Sequence, residues 1–184
     1  MTKAQINAFM AGFVLSSTGN AEDAGTVDIR RKMLAHFIKH GAGAYELLGY
    51  KQESIAVASN YDSADITDVT DTTYTDINSK AEKIEMSEYR INPSKTKFFE
   101  EALKLKISDQ EEAMQDYTVL TVYGFYRDED GNCLATEETG CTVILDNLGS
   151  QGFTMSDVNI TLSGRKTYGT VPEIVPVPTF TAAS

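Results

Sequence analysis

The run YTVLTVYGFYR, residues Tyr117–Arg127, constrains this chain more than any other stretch. Thr, Val, Tyr and Phe are strand formers. Apolar or aromatic residues fall on both alternating faces, which predicts a strand buried on both sides. Such a strand needs a layer on each face, so the chain must build its core around a sheet. The turn DEDGN follows at 128–132, and Asp130-Gly131 is a strong hairpin signal. Residues 133–136 and 141–145 read as strands flanking a turn at 137–140. Val158, Ile160 and Leu162 alternate in a final pair of strands.

Upstream, residues 27–40 present Ile29, Met33, Phe37 and Ile38 on one helical face, with Gly41 as a stop. The same stretch from 33 to 39 also fits a strand, and periodicity leaves both readings open. Residues 44–49 (AYELLG) read as a strand. Residues 64–78 (ADITDVTDTTYTDIN) are strand formers interrupted by aspartates, which predicts a long, partly exposed β-hairpin or loop. The chain returns through a second strand at 83–91. Asn92-Pro93 then opens a helix, Asn as cap and Pro in the first turn. Phe98, Phe99, Ala102 and Leu103 face the core, and Lys104 and Lys106 suit the C-terminal end.

Both termini read as arms. Ile6, Phe9, Met10, Phe13 and Val14 fall at helical spacing, and residues 16–25 (SSTGNAEDAG) form a polar linker. The apolar run 8–15, with Gly19-Asn20-Ala21 after it, superficially matches a secretory signal; a single Lys3 is too little positive charge, and the helical arm is preferred. Pro172, Pro176 and Pro178 favour an extended C-terminal arm. The expectation is a mainly β (α+β) fold. It comprises a β-sandwich or partly closed barrel with one packed helix, a long β-hairpin or loop, and extended N- and C-terminal arms. Residues 1–25 are the N-terminal arm; 26–184 form one domain, with its C-terminal arm from about 171 to 184.

The 184 residues carry 16 Lys plus Arg against 27 Asp plus Glu, a net charge of −11. That balance argues against a nucleic-acid binder, which needs clustered basic surface. No apolar run reaches the ~20 residues that span a bilayer. Two cysteines and two histidines leave few options for zinc sites, disulfide scaffolds or His-based catalysis. His36 and His40 would share a face on a helix, but no HExxH and no third ligand accompany them. Asp128, Asp130 and Asn132 echo a calcium loop, yet position twelve is Thr139 where a Glu is required. Gly164-Arg165-Lys166-Thr167 is a near miss for a phosphate loop. Cys133 and Cys141 can face each other across a hairpin and are read as thiols. No catalytic, cofactor-binding or metal-binding residue emerges, and the chain is not read as an enzyme.

The order of features resembles a family. Arg30-Arg31-Lys32-Met33-Leu34-Ala35-His36-Phe37-Ile38 leads to Tyr45-Glu46-Leu47-Leu48-Gly49. A polar hairpin, Thr73-Tyr74-Thr75-Asp76-Ile77-Asn78, runs to Ser87-Glu88-Tyr89. The Pro93 helix, the strand at Tyr117 and the terminal Thr179-Phe180-Thr181-Ala182-Ala183-Ser184 complete the set. Over residues 28–184 this resembles the major tail (tail tube) proteins of long-tailed bacteriophages, especially those infecting Gram-positive hosts. The N-terminal arm departs from that pattern.

The resemblance implies a structural virion protein, made in the host bacterial cytoplasm, that closes into hexameric rings. The rings stack into a tail tube for genome ejection. It also implies tape measure and tail tip or terminator proteins as partners. DNA passes through without specific binding, and no membrane or cofactor is involved. Asp65, Asp68, Asp71, Thr72, Thr73, Tyr74 and Asp76 are the expected ring-stacking residues: their segment orders when paired, and its aspartates resist burial in a monomer core. Two other readings stand beside it. One is a β-sandwich binding module, carbohydrate-binding or adhesin-like, disfavoured by the absence of Trp. The other is the tube protein of a contractile injection device.

Overall fold

The computed structural model describes residues 1–15, 34–48, 56–67, 73–90, 97–110, 114–150, 154–174 and 177–183. Among them are two helices and ten strands. In chain order these are α1 (Lys3–Ala11), β1 (Val14–Leu15), β2 (Leu34–His40), β3 (Glu46–Leu47), β4 (Ala56–Thr67) and β5 (Thr73–Arg90). Then come α2 (Lys97–Ile107), β6 (Tyr117–Arg127), β7 (Cys133–Ser150), β8 (Thr154–Thr161), β9 (Lys166–Val171) and β10 (Thr181–Ala182). The fold is mainly β, and the sheet runs β3-β2-β6-β7-β8-β5-β4 without closing on itself.

β7 makes two layers out of one sheet. Its first half, Cys133 to Cys141, pairs with β6 along one edge, and Cys133 to Glu138 pair with β9 along the other. Its second half, Thr142 to Ser150, pairs with β8. The sequence reading placed a turn at 137–140. The structure corrects this: β7 is one 18-residue strand. Thr139 lies opposite Thr118 and Cys141 opposite Tyr117, so Gly140 is an extra residue at a bulge, with φ +72°. Glycine takes that left-handed conformation without steric cost. By contrast, 128–132 is the turn expected, closed by Asn132 donating through its backbone N–H to Asp128 Oδ1 at 2.8 Å.

The main core lies between the two layers. Ile38, Tyr117 and Val119 come from one layer, and Ile84, Val143, Leu145, Val158 and Ile160 from the other. α2 adds Phe98, Phe99 and Ala102 to this core, with Leu103 packed at its edge, as its spacing predicted. Tyr89 stacks on Phe99 at 5.5 Å and meets Phe98 edge-on at 5.6 Å. Asn92-Pro93 lies outside the described residues. The first N–H groups of α2 instead donate to Glu46 Oε2 on β3, from Lys97 at 2.7 Å and Phe98 at 3.3 Å. A carboxylate there satisfies orphan donors and suits the positive end of the helix.

The opposite face of the first layer is buried too. Phe37, Leu120, Val122, Cys133, Ala135 and Val171 form a second cluster, with Ile174 and Phe180 packed against it. β6 is thus covered on both faces, as its composition required. The C-terminal arm supplies part of that cover: β10 pairs with β9, and Ala183 donates to the Tyr168 carbonyl at 2.8 Å. At Gly169 a Cβ would overlap the Thr181 carbonyl oxygen and sit 2.6 Å from the Phe180 ring. Only glycine lets the arm lie this close.

The stretch 34–40 is a strand, which decides between the two open readings. β1 and β2 share one edge of β6 end to end, with Leu15 opposite Tyr126 and Leu34 opposite Tyr123. Three residues of β6, or about 10 Å, separate the two points. The N-terminal arm is helical as expected through Ala11, but Val14 belongs to β1 and not to the helix. α1 is a second helix beside the packed one, and none of its residues is buried. Cys133 and Cys141 do not face each other across a hairpin. They lie on the same strand, in different clusters, as free buried thiols.

Candidate assembly surface

The β4–β5 hairpin is the feature that reaches beyond the body. β5 is one 18-residue strand, so the expected hairpin and the expected strand at 83–91 are parts of the same element. β8 supports β5 only between Lys83 and Arg90. Glu82 still accepts from the Leu162 N–H at 2.9 Å; from Asn60 opposite Ala81 out to Thr67 opposite Thr73, β4 and β5 pair only with each other among the described residues. That two-stranded ribbon extends about 30 Å past the last rung of β8. Its register shifts between Asp62 and Ser63. A two-stranded ribbon in water is at best marginally stable without a surface to lie on. Among the described residues, the outer edge of the 12-residue β4 has no partner strand, and such an edge is a template for another strand.

The expected ring-stacking residues fall at the tip. Asp65 pairs opposite Thr75, Tyr74 opposite Ile66, Asp76 opposite Ala64 and Thr73 opposite Thr67. Asp68, Asp71 and Thr72 lie outside the described residues. The structure brings Asp65, Thr73, Tyr74 and Asp76 onto one hairpin end.

At the base of the ribbon, the two layers part around a cavity of about 180 Å³. Lys166 on β9 reaches across it to Glu82 on β5 at 2.6 Å, with Glu138 on β7 at 3.5 Å. Glu138 Oε2 also accepts from the Gly164 N–H at 3.0 Å. Burial alone would lower the Lys166 pKa; the Glu82 hydrogen bond and the Glu138 charge outweigh it and raise it. His36 lines the same cavity with its Nδ1 3.0 Å from Thr121 Oγ1. Sequence reasoning missed this cluster because its members lie on β2, β5, β6, β7 and β9 and meet only in the folded sheet.

The histidines do not form a metal pair. His36 is buried against Thr121, whereas His40 packs on the Tyr117 ring at 4.7 Å and lies 3.6 Å from Glu101. Among the described residues, no three His, Cys, Asp or Glu side chains gather as a metal site. No described helix is long and apolar enough to cross a membrane.

No family model matches the sequence, and no curated protein matches it. Three solved structures resemble the chain at low identity. One is the sheath–tube complex of the extracellular contractile injection system PVC in its extended state. It shares 13% identity with this chain at a TM-score of 0.48, covering 84% of this chain and 100% of that one. The tube-terminating cap of the anti-feeding prophage AFP shares 14% identity at 0.47, over 81% and 95%. The PVC sheath/tube terminator in its extended state shares 11% at 0.46, over 79% and 99%.

Proposed function

We propose that this chain is a structural virion protein that polymerises as stacked hexameric rings to form a phage tail tube. The observation that carries the reading is the β4–β5 ribbon: among the described residues it pairs only within itself beyond Glu82, and the outer edge of the 12-residue β4 has no partner strand. Both features are unfinished in a monomer and complete themselves against further copies. The sequence resemblance to tail tube proteins points the same way. The net charge of −11 suits a conduit that must not hold DNA, since duplex DNA carries about one negative charge per 1.7 Å. No catalytic role is assigned.

A tube in a contractile injection device would use the same geometry. The binding-module reading gains little: Tyr123 and Phe125 meet at 83° and Phe125 and Tyr126 at 52°, so these half-buried rings do not make a flat platform.

Negative-stain microscopy and sedimentation of the purified chain, with and without a tail initiator complex, test the proposal. Rings or tubes are expected, at least with the initiator. A chain that stays monomeric at every concentration in both conditions would overturn it.

A further inference from the structure

The cavity at the base of the ribbon is walled by both layers and does no work in assembly as described above. Its floor is buried: Ile84 comes from one layer, and His36, Thr121 and Glu138 from the other. Its rim reaches solvent at Leu34 and Val57, which are 36% and 44% exposed.

The floor carries one polar atom that the fold does not use. His36 Nδ1 lies 3.0 Å from Thr121 Oγ1, whereas Nε2 of the same ring has no hydrogen-bond partner among the described residues. The residue is only 6% exposed. A buried polar nitrogen left unpaired is costly, so a group that bonds it from within the cavity is favoured.

The charges around the cavity are already engaged. Lys166 meets Glu82 at 2.6 Å and Glu138 at 3.5 Å, and Glu138 Oε2 accepts from the Gly164 N–H. An ionic ligand would have to compete with those contacts. His36 offers it no charge, since burial holds the imidazole neutral at pH 7. A hydroxyl group needs no charge. It also suits either tautomer of His36, accepting from an Nε2–H or donating to a bare Nε2.

Size and lining define the rest of the ligand. A cavity of about 150 Å³ takes up one benzene molecule, so the 180 Å³ available here suits a single ring. Val57, Ile84 and Leu162 supply apolar wall, and Tyr123 an aromatic one.

We propose that this cavity binds a small neutral phenol, with the hydroxyl on His36 Nε2 and the ring among Val57, Ile84, Leu162 and Tyr123. The site goes beyond the self-assembly reading and does not depend on it.

Phenol itself is the probe, titrated into the purified full-length chain and followed by ligand-observed NMR. Saturable binding in the millimolar range is expected, roughly fivefold tighter than benzene, which has the ring without the hydroxyl. His36→Leu should remove that advantage and leave benzene binding in place. Val57→Trp fills the mouth from a partly exposed position and should abolish binding of both molecules. It decides the matter if the His36 variant fails to fold. Phenol that does not saturate, that binds no tighter than benzene, or that binds Val57→Trp as it binds wild type overturns the proposal. Tubes without phenol binding leave the assembly reading standing and remove this site. Phenol binding to a chain that never assembles does the reverse.

Discussion

The Lys166 ammonium lies 2.6 Å from Glu82 Oε2, joining β9 in one layer to β5 in the other. Glu138, only 4% exposed, lies 3.5 Å from the same ammonium. The Lys166 ammonium therefore lies between carboxylates from two strands of the sheet.

Replacing Lys166 with Met should cost about 1 to 3 kcal/mol, because the Glu82 and Glu138 carboxylates both lose the ammonium beside them. Urea denaturation of wild type and K166M at pH 7 would read this as a lower midpoint. An unchanged midpoint would mean the bridge is energetically neutral.

Burial pushes the His36 imidazole down from 6.5 to about 4. Between those values the unfolded chain binds a proton that the folded chain does not. Stability should therefore be unaffected above pH 6.5 and fall as pH drops toward 4, by about 1.4 kcal/mol per unit. The full loss is about 3 kcal/mol. His36→Gln should flatten that part of the profile, and the difference between the two chains isolates His36 from other groups. Parallel profiles would count against a buried neutral imidazole.

Glu46→Ala should destabilise α2 by about 1 kcal/mol, since two N–H groups at its start lose their acceptor. Burial, opposed by those two hydrogen bonds, leaves the Glu46 carboxyl above its usual range. Glu46→Gln, which keeps an acceptor oxygen, should recover most of the loss in a thermal melt.

Much of this fold was legible because single residues declared it. Tyr117–Arg127 announced burial on both faces, and Asp130-Gly131 announced its hairpin. Phe98, Phe99 and Ala102 marked the packed side of α2. β7 was misread because Gly140 carries the same local signal in a bulge as in a turn. Only the ladder to β6 tells the two apart. The Lys166–Glu82–Glu138 cluster left no trace at all: positions 82, 138 and 166 have no local relationship, and each looks like an ordinary surface charge. The hairpin was visible in its Thr and Asp content, but its length was not, since the strand signal at 83–91 read as a separate element.

Replacing residues 71–74 with a short Gly-Ser loop should leave a folded monomer with a nearly unchanged melting temperature and abolish tube growth. Among the described residues the ribbon beyond Glu82 pairs only with itself, which is why the body is expected to fold without its tip. Unfolding of the shortened chain would place the segment in the core. Normal tubes would move ring stacking elsewhere.

Gly169→Ala should displace the C-terminal arm, because the new methyl meets the Thr181 carbonyl and the Phe180 ring. Limited proteolysis should then clip the chain after residue 174 faster than in wild type. The cost in stability is expected at about 1 to 3 kcal/mol.

The end-to-end placement of β1 and β2 along β6 has a use in protein engineering. Leu15 and Leu34 are anchored opposite Tyr126 and Tyr123, so the ladder fixes where the chain leaves and where it returns. What is inserted between those two anchors does not alter their spacing. The entropy of closing a loop costs only about 0.6 kcal/mol more for each doubling of its length. A foreign epitope or a small folded cargo grafted between residues 16 and 33 should thus leave both anchors in place, making the junction a display port on this sheet.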